Sequence, residues 1–307
     1  FLTANSSVID ANYAAVYGYD ADGTGYTIYN DASTSPSDMI APGQGFFIAA
    51  GSETAADILF TKAMRTTSGD DDFATQRLAQ SDWSSFYLRL YEDENFACET
   101  QFYFEDGLSL GLDLRYDAGA MGENDLMSRL VDEDQGIGMA INAMGNDFDD
   151  TRVPLVISRD AGVEFSISFE DSNIPEGVNI YLEDTLLDTY TDLRSGDFTL
   201  TPVSDLSDMG RFYLMIGDAR LGGNDLEASY ISIYKAANND FVTIEGLLNV
   251  ESANVQLFNV IGQEVLNTTL QSNQSTQRVS TGGLTTGVYV LRLESDSSVI
   301  SKKIIIN

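Results

Sequence analysis

Val163-Glu164-Phe165-Ser166-Ile167-Ser168-Phe169 decides the fold of this chain. Val163, Phe165, Ile167 and Phe169 alternate with Glu164, Ser166 and Ser168. A period of two places the apolar set on one face of a β-strand and the polar set in water. Working outward, short runs rich in Val, Ile, Tyr, Phe and Thr recur at 26–29, 45–49, 57–61, 85–91, 100–105, 153–158, 179–183, 197–201 and 211–216. Clusters of Gly, Asp, Asn and Ser bound them, a spacing that predicts an all-β sandwich of jelly-roll type and not an α/β unit. Helical periodicity is scarce, and only 123–130 and 139–144 are expected to hold a short helical turn each.

A second series of strands is expected at 231–234, 241–245, 254–259, 264–270, 276–280, 287–294 and 299–306. Ile261-Gly262-Gln263 has the chemistry of a hairpin turn, as does the Gly282-Gly283 region before Gly287. In the run 288–293, Tyr289, Leu291 and Leu293 share one face while Val290 and Arg292 take the other. These strands predict a small seven-stranded, Ig-like antiparallel β-sandwich.

Charge divides the two series. Against 48 Asp and Glu stand only 16 Lys and Arg, a net charge of −32 over 307 residues. From Leu226 onward there are seven acids and five bases, so that tail carries −2 and the remainder −30. The change in charge density falls at Gly222-Gly223-Asn224 and predicts two units, an acidic module over 1–222 and a tail over 226–307.

The same composition excludes many chemistries. There is no histidine, hence no Ser-His-Asp triad, no Cys-His dyad and no His-ligated zinc. The single cysteine, Cys98, can form neither an internal disulfide nor a Cys-rich metal site. A strongly anionic surface repels phosphate backbones, which argues against nucleic acid as a partner. No run of about 18 apolar residues is present to span a membrane as a helix. The chain opens Phe1-Leu2-Thr3-Ala4-Asn5 without a signal-peptide pattern, as expected of a mature product or a fragment of a longer protein.

Several tail segments together resemble a known family. They are Ile231-Ser232-Ile233-Tyr234, Phe241-Val242-Thr243-Ile244, Val255-Gln256-Leu257-Phe258-Asn259-Val260-Ile261-Gly262-Gln263-Glu264-Val265, Leu284-Thr285-Thr286-Gly287-Val288-Tyr289-Val290-Leu291-Arg292-Leu293 and Lys302-Lys303-Ile304-Ile305-Ile306. In this order they resemble the type A C-terminal sorting domain of proteins exported by the type IX (Por) secretion system. The family's Pro-Asn-Pro turn is replaced here by Lys235-Ala236-Ala237-Asn238. The resemblance implies export across the outer membrane to the cell surface or beyond. It implies recognition by the translocon and a PorV-type shuttle protein, and processing by a sortase. Its sorting signal falls on Gly262, Gly287, Tyr289, Lys302, Lys303 and Ile304.

The first unit resembles, more loosely, the β-rich module often found upstream of such domains in large secreted surface proteins. The segments that carry this are Ile40-Ala41-Pro42-Gly43-Gln44-Gly45-Phe46-Phe47-Ile48, Val153-Pro154-Leu155, Ile180-Tyr181-Leu182-Glu183-Asp184 and Gly210-Arg211-Phe212. That module brings no activity with it.

Among candidate sites, Asp20, Asp22 and Thr24 with Asp31 offer oxygen ligands for calcium at spacings similar to an EF-hand loop. The flanks read as strands, and Asp22-Gly23 between strands is first a hairpin turn. Asp70-Asp71-Asp72 and 146–150 are oxygen-rich loops of the same kind. Paired carboxylates for glycoside hydrolysis have no sequence signature, because their separation is three-dimensional. Cys98 sits among acids that raise a thiol pKa and reads as an inert buried residue. Trp83 and the tyrosines read first as core and second as a face for a glycan or another surface ligand. The expectation is a non-catalytic adhesion or interaction module, as in gliding and attachment proteins, joined to an export signal. The alternative is the non-catalytic tail of a secreted hydrolase whose catalytic domain lies upstream.

Overall fold

The computed structural model describes residues 1–306 except 20–25, 35–37, 52–56, 68–82, 123, 149, 208, 218–230, 236–238, 248–251, 272–275 and 296–298. The fold is all-β, with 49% strand and 4% helix. A four-residue helix α1 (Leu2–Asn5) leads into the hairpin of β1 (Val16–Tyr19) and β2 (Tyr26–Tyr29).

One large sheet follows, built from β3 (Ser84–Glu92), β4 (Asn95–Phe104), β5 (Ala118–Gly119), β6 (Leu126–Ser128), β7 (Met139–Met144), β8 (Thr151–Ile157), β9 (Phe165–Ser172), β10 (Ile180–Asp184), β11 (Thr189–Asp192), β12 (Phe198–Leu200) and β13 (Phe212–Ile216). Their order is β11-β10-β13-β8-β6-β7-β4-β3-β9-β12, with β5 added against β7. The sheet curls, because Phe198 on the last strand lies 5.8 Å from Phe212 on the third. Inside the curl, Phe86, Leu88, Leu90, Phe102, Leu155, Leu182 and Leu214 form one apolar core. Burial of each such side chain is worth about 1.5–3 kcal/mol relative to exposure.

The opposite face of β4 and β7 is covered by the first hairpin. Tyr17, Ala15 and Ile28 pack there against Tyr103, Ile141 and Ala143, and the Tyr17 hydroxyl donates to the Gly119 carbonyl at 2.8 Å. Burial in this setting pushes the Tyr17 phenol well above its ordinary value.

The structure corrects four expectations. Residues 139–144 are strand β7, not a helical turn, and all six are buried. Both faces of β7 are covered and it pairs parallel with β4, so its apolar run is continuous and carries no alternation to distinguish strand from helix. Residues 126–128 likewise form β6. Residues 45–49 form no strand: Phe47 bridges Tyr17 through bonds of 2.9 and 2.8 Å, and the Ala49 carbonyl accepts from the Asp10 N–H at 3.0 Å. Residues 57–61 form no strand, because the partner of Leu59 is the side-chain amide of Asn5. That amide accepts from the Leu59 N–H at 2.7 Å and donates to its carbonyl at 3.1 Å.

The tail forms two small sheets. β14 (Ser232–Tyr234), β15 (Phe241–Glu245) and β18 (Thr276–Ser280) make one. β16 (Ser252–Asn259), β17 (Glu264–Gln271), β19 (Gly287–Ser295) and β20 (Val299–Ile306) make the other, in the order β17-β16-β19-β20. Ile233, Val242, Ile244 and Val279 of the first meet Val255, Leu257, Leu291, Leu293 and Ile304 of the second in one cluster. Tyr289, Leu291 and Leu293 are buried while Val288 and Val290 are exposed, as the period of two requires.

Candidate functional site

Three of the residues expected to carry the sorting signal, Gly287, Tyr289 and Ile304, come together at one end of the four-stranded sheet. Tyr289 pairs with Asn259 on one side and Ile304 on the other, and Gly287 pairs with Ile306. Asn259 opens the hairpin that carries Gly262. Its side-chain oxygen accepts from the N–H groups of Ile261 at 3.2 Å and Gln263 at 3.0 Å. Gly262 has φ +81°, a left-handed conformation in which a side chain is strained. The turn therefore holds Val260 and Ile261 out at its tip, 79% and 81% exposed.

The Tyr289 ring is buried, and its hydroxyl donates to the Thr285 carbonyl at 2.7 Å. It thereby ties the loop 285–286 to the strand that follows. In β20, Ile304 and Ile306 point into the core, Lys303 and Ile305 point out and Lys302 is half-buried. Lys302 and Lys303 face Leu291 and Val290 of β19 in register. β20 ends the sheet order, so its outer N–H and C=O row is an edge, which charged side chains commonly guard.

The calcium reading falls mostly on undescribed positions: Asp20, Asp22 and Thr24 lie outside the described residues. Asp31 is described, and its carboxylate pairs with Arg115 at 3.1 Å. As arranged, that ion pair competes with any cation for Asp31. Among the described residues, no group of three or more His, Cys, Asp or Glu is placed to hold a metal ion. Asp70, Asp71, Asp72 and Asp149 are also outside the described residues.

The acidic module uses its buried carboxylates as staples. Asp184, wholly buried, receives two bonds from Arg211, at 2.9 and 2.7 Å, and accepts from the N–H groups of Leu186 and Leu187. Glu183 accepts from Arg152 at 2.7 Å, and that guanidinium lies over the Tyr213 ring. Asp117 accepts from the backbone N–H groups of Ala143 at 2.7 Å and Asp113 at 2.6 Å. Burial outweighs those bonds and pushes its carboxyl up to about 7. Cys98 is buried, and burial, ahead of the nearby Asp125 charge, pushes its thiol up to about 11. Cys98 is thus buried as expected, with burial the larger cause of the shift and the acidic neighbour the smaller. Trp83 stacks on Tyr116 at 5.6 Å, while Tyr19, Phe47 and Phe60 stand exposed.

Comparison with known families accounts for the two series of strands separately. A family described as Domain of unknown function (DUF8693) matches residues 2–215. The chain belongs to this family. The Secretion system C-terminal sorting domain family matches residues 232–307. The tail is thus a sorting domain of the type IX secretion system, and the chain is exported by that system to the cell surface or outside. No curated protein matches the chain. One solved structure, a tetra-tandem repeat in the extending region of a large adhesion protein, is 8% identical and covers 73% of this chain, with a TM-score of 0.18. The chain spans 66% of that structure's length, and the likeness is too slight to bear on the fold of the DUF8693 domain. No helix among the described residues is long and apolar enough to cross a membrane.

Proposed function

We propose that this chain is the C-terminal part of a cell-surface protein in which a non-catalytic adhesion module is exported and attached through its sorting domain. The observation that carries this reading is the convergence of Asn259, Gly287, Tyr289 and Ile304 at one end of a sheet whose edge strand bears Lys302 and Lys303. A free edge with a basic pair offers backbone hydrogen bonds for strand addition and a charge for register. The translocon, a PorV-type shuttle and a sortase are the partners of this end. The two tail sheets sharing one core form a seven-stranded Ig-like sandwich, and the curled sheet of the DUF8693 domain is a jelly-roll-like one.

A non-catalytic passenger is supported by the chemistry of its buried acids. Asp117, Glu183 and Asp184 are each committed to backbone N–H groups or arginine. The exposed rings of Tyr19 and Phe47, which both pack edge-on against Tyr26 at 5.9 and 5.7 Å, supply a face on which a glycan can stack. Deleting residues 226–307 tests the proposal: the passenger should accumulate in the periplasm. Unchanged delivery to the surface would overturn the reading.

A further inference from the structure

The contact between the two units is centred on one buried arginine. Arg129 follows β6, and its side chain is 5% exposed. Its guanidinium gives two bonds to Asp134 of its own unit, at 3.1 and 2.8 Å, and a third to Glu245 of β15 in the tail, at 3.2 Å. Tyr234 of β14 donates to the other oxygen of Glu245 at 2.9 Å, and its ring lies 5.3 Å from the Arg129 guanidinium carbon. Ser232 of β14 donates to Asp134 at 2.7 Å. Arg129, Asp134 and Glu245 thus each have partners on both sides of the junction.

Two glycines mark how closely the units approach. A Cβ on Gly136, which has φ +84°, would collide with the Tyr234 ring. A Cβ on Gly210, with φ +113°, would come within 2.7 Å of the Gly246 Cα. The glycines let the Tyr234 ring rest on the passenger backbone at Gly136 and let the two backbones meet at Gly210 and Gly246.

The charges fit this closure. Burial works against the Arg129 cation, but Asp134 and Glu245 outweigh it and hold its pKa above the ordinary value. Burial and the Glu245 charge push the Tyr234 phenol up to about 12, so it stays a donor. A guanidinium fork with two carboxylates is a strong and directional arrangement only when water is excluded. Here the tail supplies the lid that excludes it.

Arg129 is positioned by the fold of the passenger. Its N–H donates to the Pro154 carbonyl of β8 at 2.9 Å, and Asn142 of β7 donates to its carbonyl at 3.2 Å. The receiving surface therefore exists only after β6, β7 and β8 have assembled. We propose that the passenger carries a docking surface for its own sorting domain, built on Arg129 and Asp134, which holds β14 and β15 in place only when the passenger is folded. None of the contacts that form this cluster involves β20 or the exposed tip at Val260 and Ile261.

Hydrogen exchange on the full chain tests this independently of export. Glu245→Gln and Tyr234→Phe, both in the tail, should raise exchange of passenger amides 129–136 at least tenfold. Arg129→Met should do the same for β14 and β15. In urea, amides of β14 and β15 should lose protection at the midpoint of β6 and β7, and Arg129→Met should separate the two midpoints. The proposal is overturned if each substitution loosens only its own unit, or if the midpoints already differ in the unsubstituted chain. Should Arg129→Met fail to fold, the two tail substitutions still decide, because neither changes the passenger sequence.

Discussion

The DUF8693 domain and the sorting domain are both β-sheet structures, yet they are held together differently. In the DUF8693 domain Arg89, Arg129, Arg152, Arg159 and Arg211 are each less than one-fifth exposed and each faces a carboxylate. Its scarce cations serve as interior staples, which leaves its surface more acidic than composition alone requires. The sorting domain relies on register and apolar stacking. Its Arg292–Glu294 pair is almost half exposed and worth little, while its buried Glu245 is matched by an arginine of the other unit. The strongly charged part thus adds buried ion pairs to its apolar core, while the near-neutral part rests mainly on its own apolar core.

Removing one member of a staple should have the largest effect. Asp184→Ala leaves Arg211 buried without its partner and should lower passenger stability by about 3–5 kcal/mol in denaturant unfolding. Amides of β16 and β19 should change far less; an equal loss there would erase the contrast. Leu291→Ala should act conversely, costing the sorting domain about 2–5 kcal/mol and leaving the β10 and β13 amides protected.

A pH dependence belongs to one side of the comparison. Asp117, at about 7 when folded against 3.8 ordinarily, binds its proton more tightly in the folded chain. Its contribution is complete below about pH 4 and is lost as pH rises through about 7. Passenger stability measured over that range should fall, and Asp117→Asn should flatten the fall while lowering stability overall, since an amide cannot accept from both N–H groups. Smallest is Tyr289→Phe, which removes the hydroxyl bond to Thr285 and should cost the sorting domain about 1 kcal/mol without moving the passenger. A larger loss would make that tie, and not the apolar core, the main support of the sorting end.

Much of this was legible in the sequence, and the exceptions have physical causes. In the tail β19 and β20 have one buried and one wetter face, so alternation marks residues 299–306 with the bounds that the structure shows, and 241–245 and 276–280 also keep the expected bounds, although 242–245 are buried throughout. β7 escapes because both its faces are covered, and residues 57–61 mislead because a side chain, Asn5, replaces their strand partner. The sorting residues could be named, but that Tyr289 sits between Asn259 and Ile304 is a matter of register, which the residues alone do not reveal. Arg129 carries no signal in sequence. Its significance comes from Glu245, 116 positions away, reaching the same buried spot.

The most direct test of the account is sufficiency of the tail. Residues 226–307 should be fused to a soluble reporter that is otherwise retained in the periplasm, in a host with a working type IX system, and the reporter should be measured at the cell surface and in the medium. The account predicts that the reporter is exported. A reporter that stays in the periplasm while its tail is folded would contradict it.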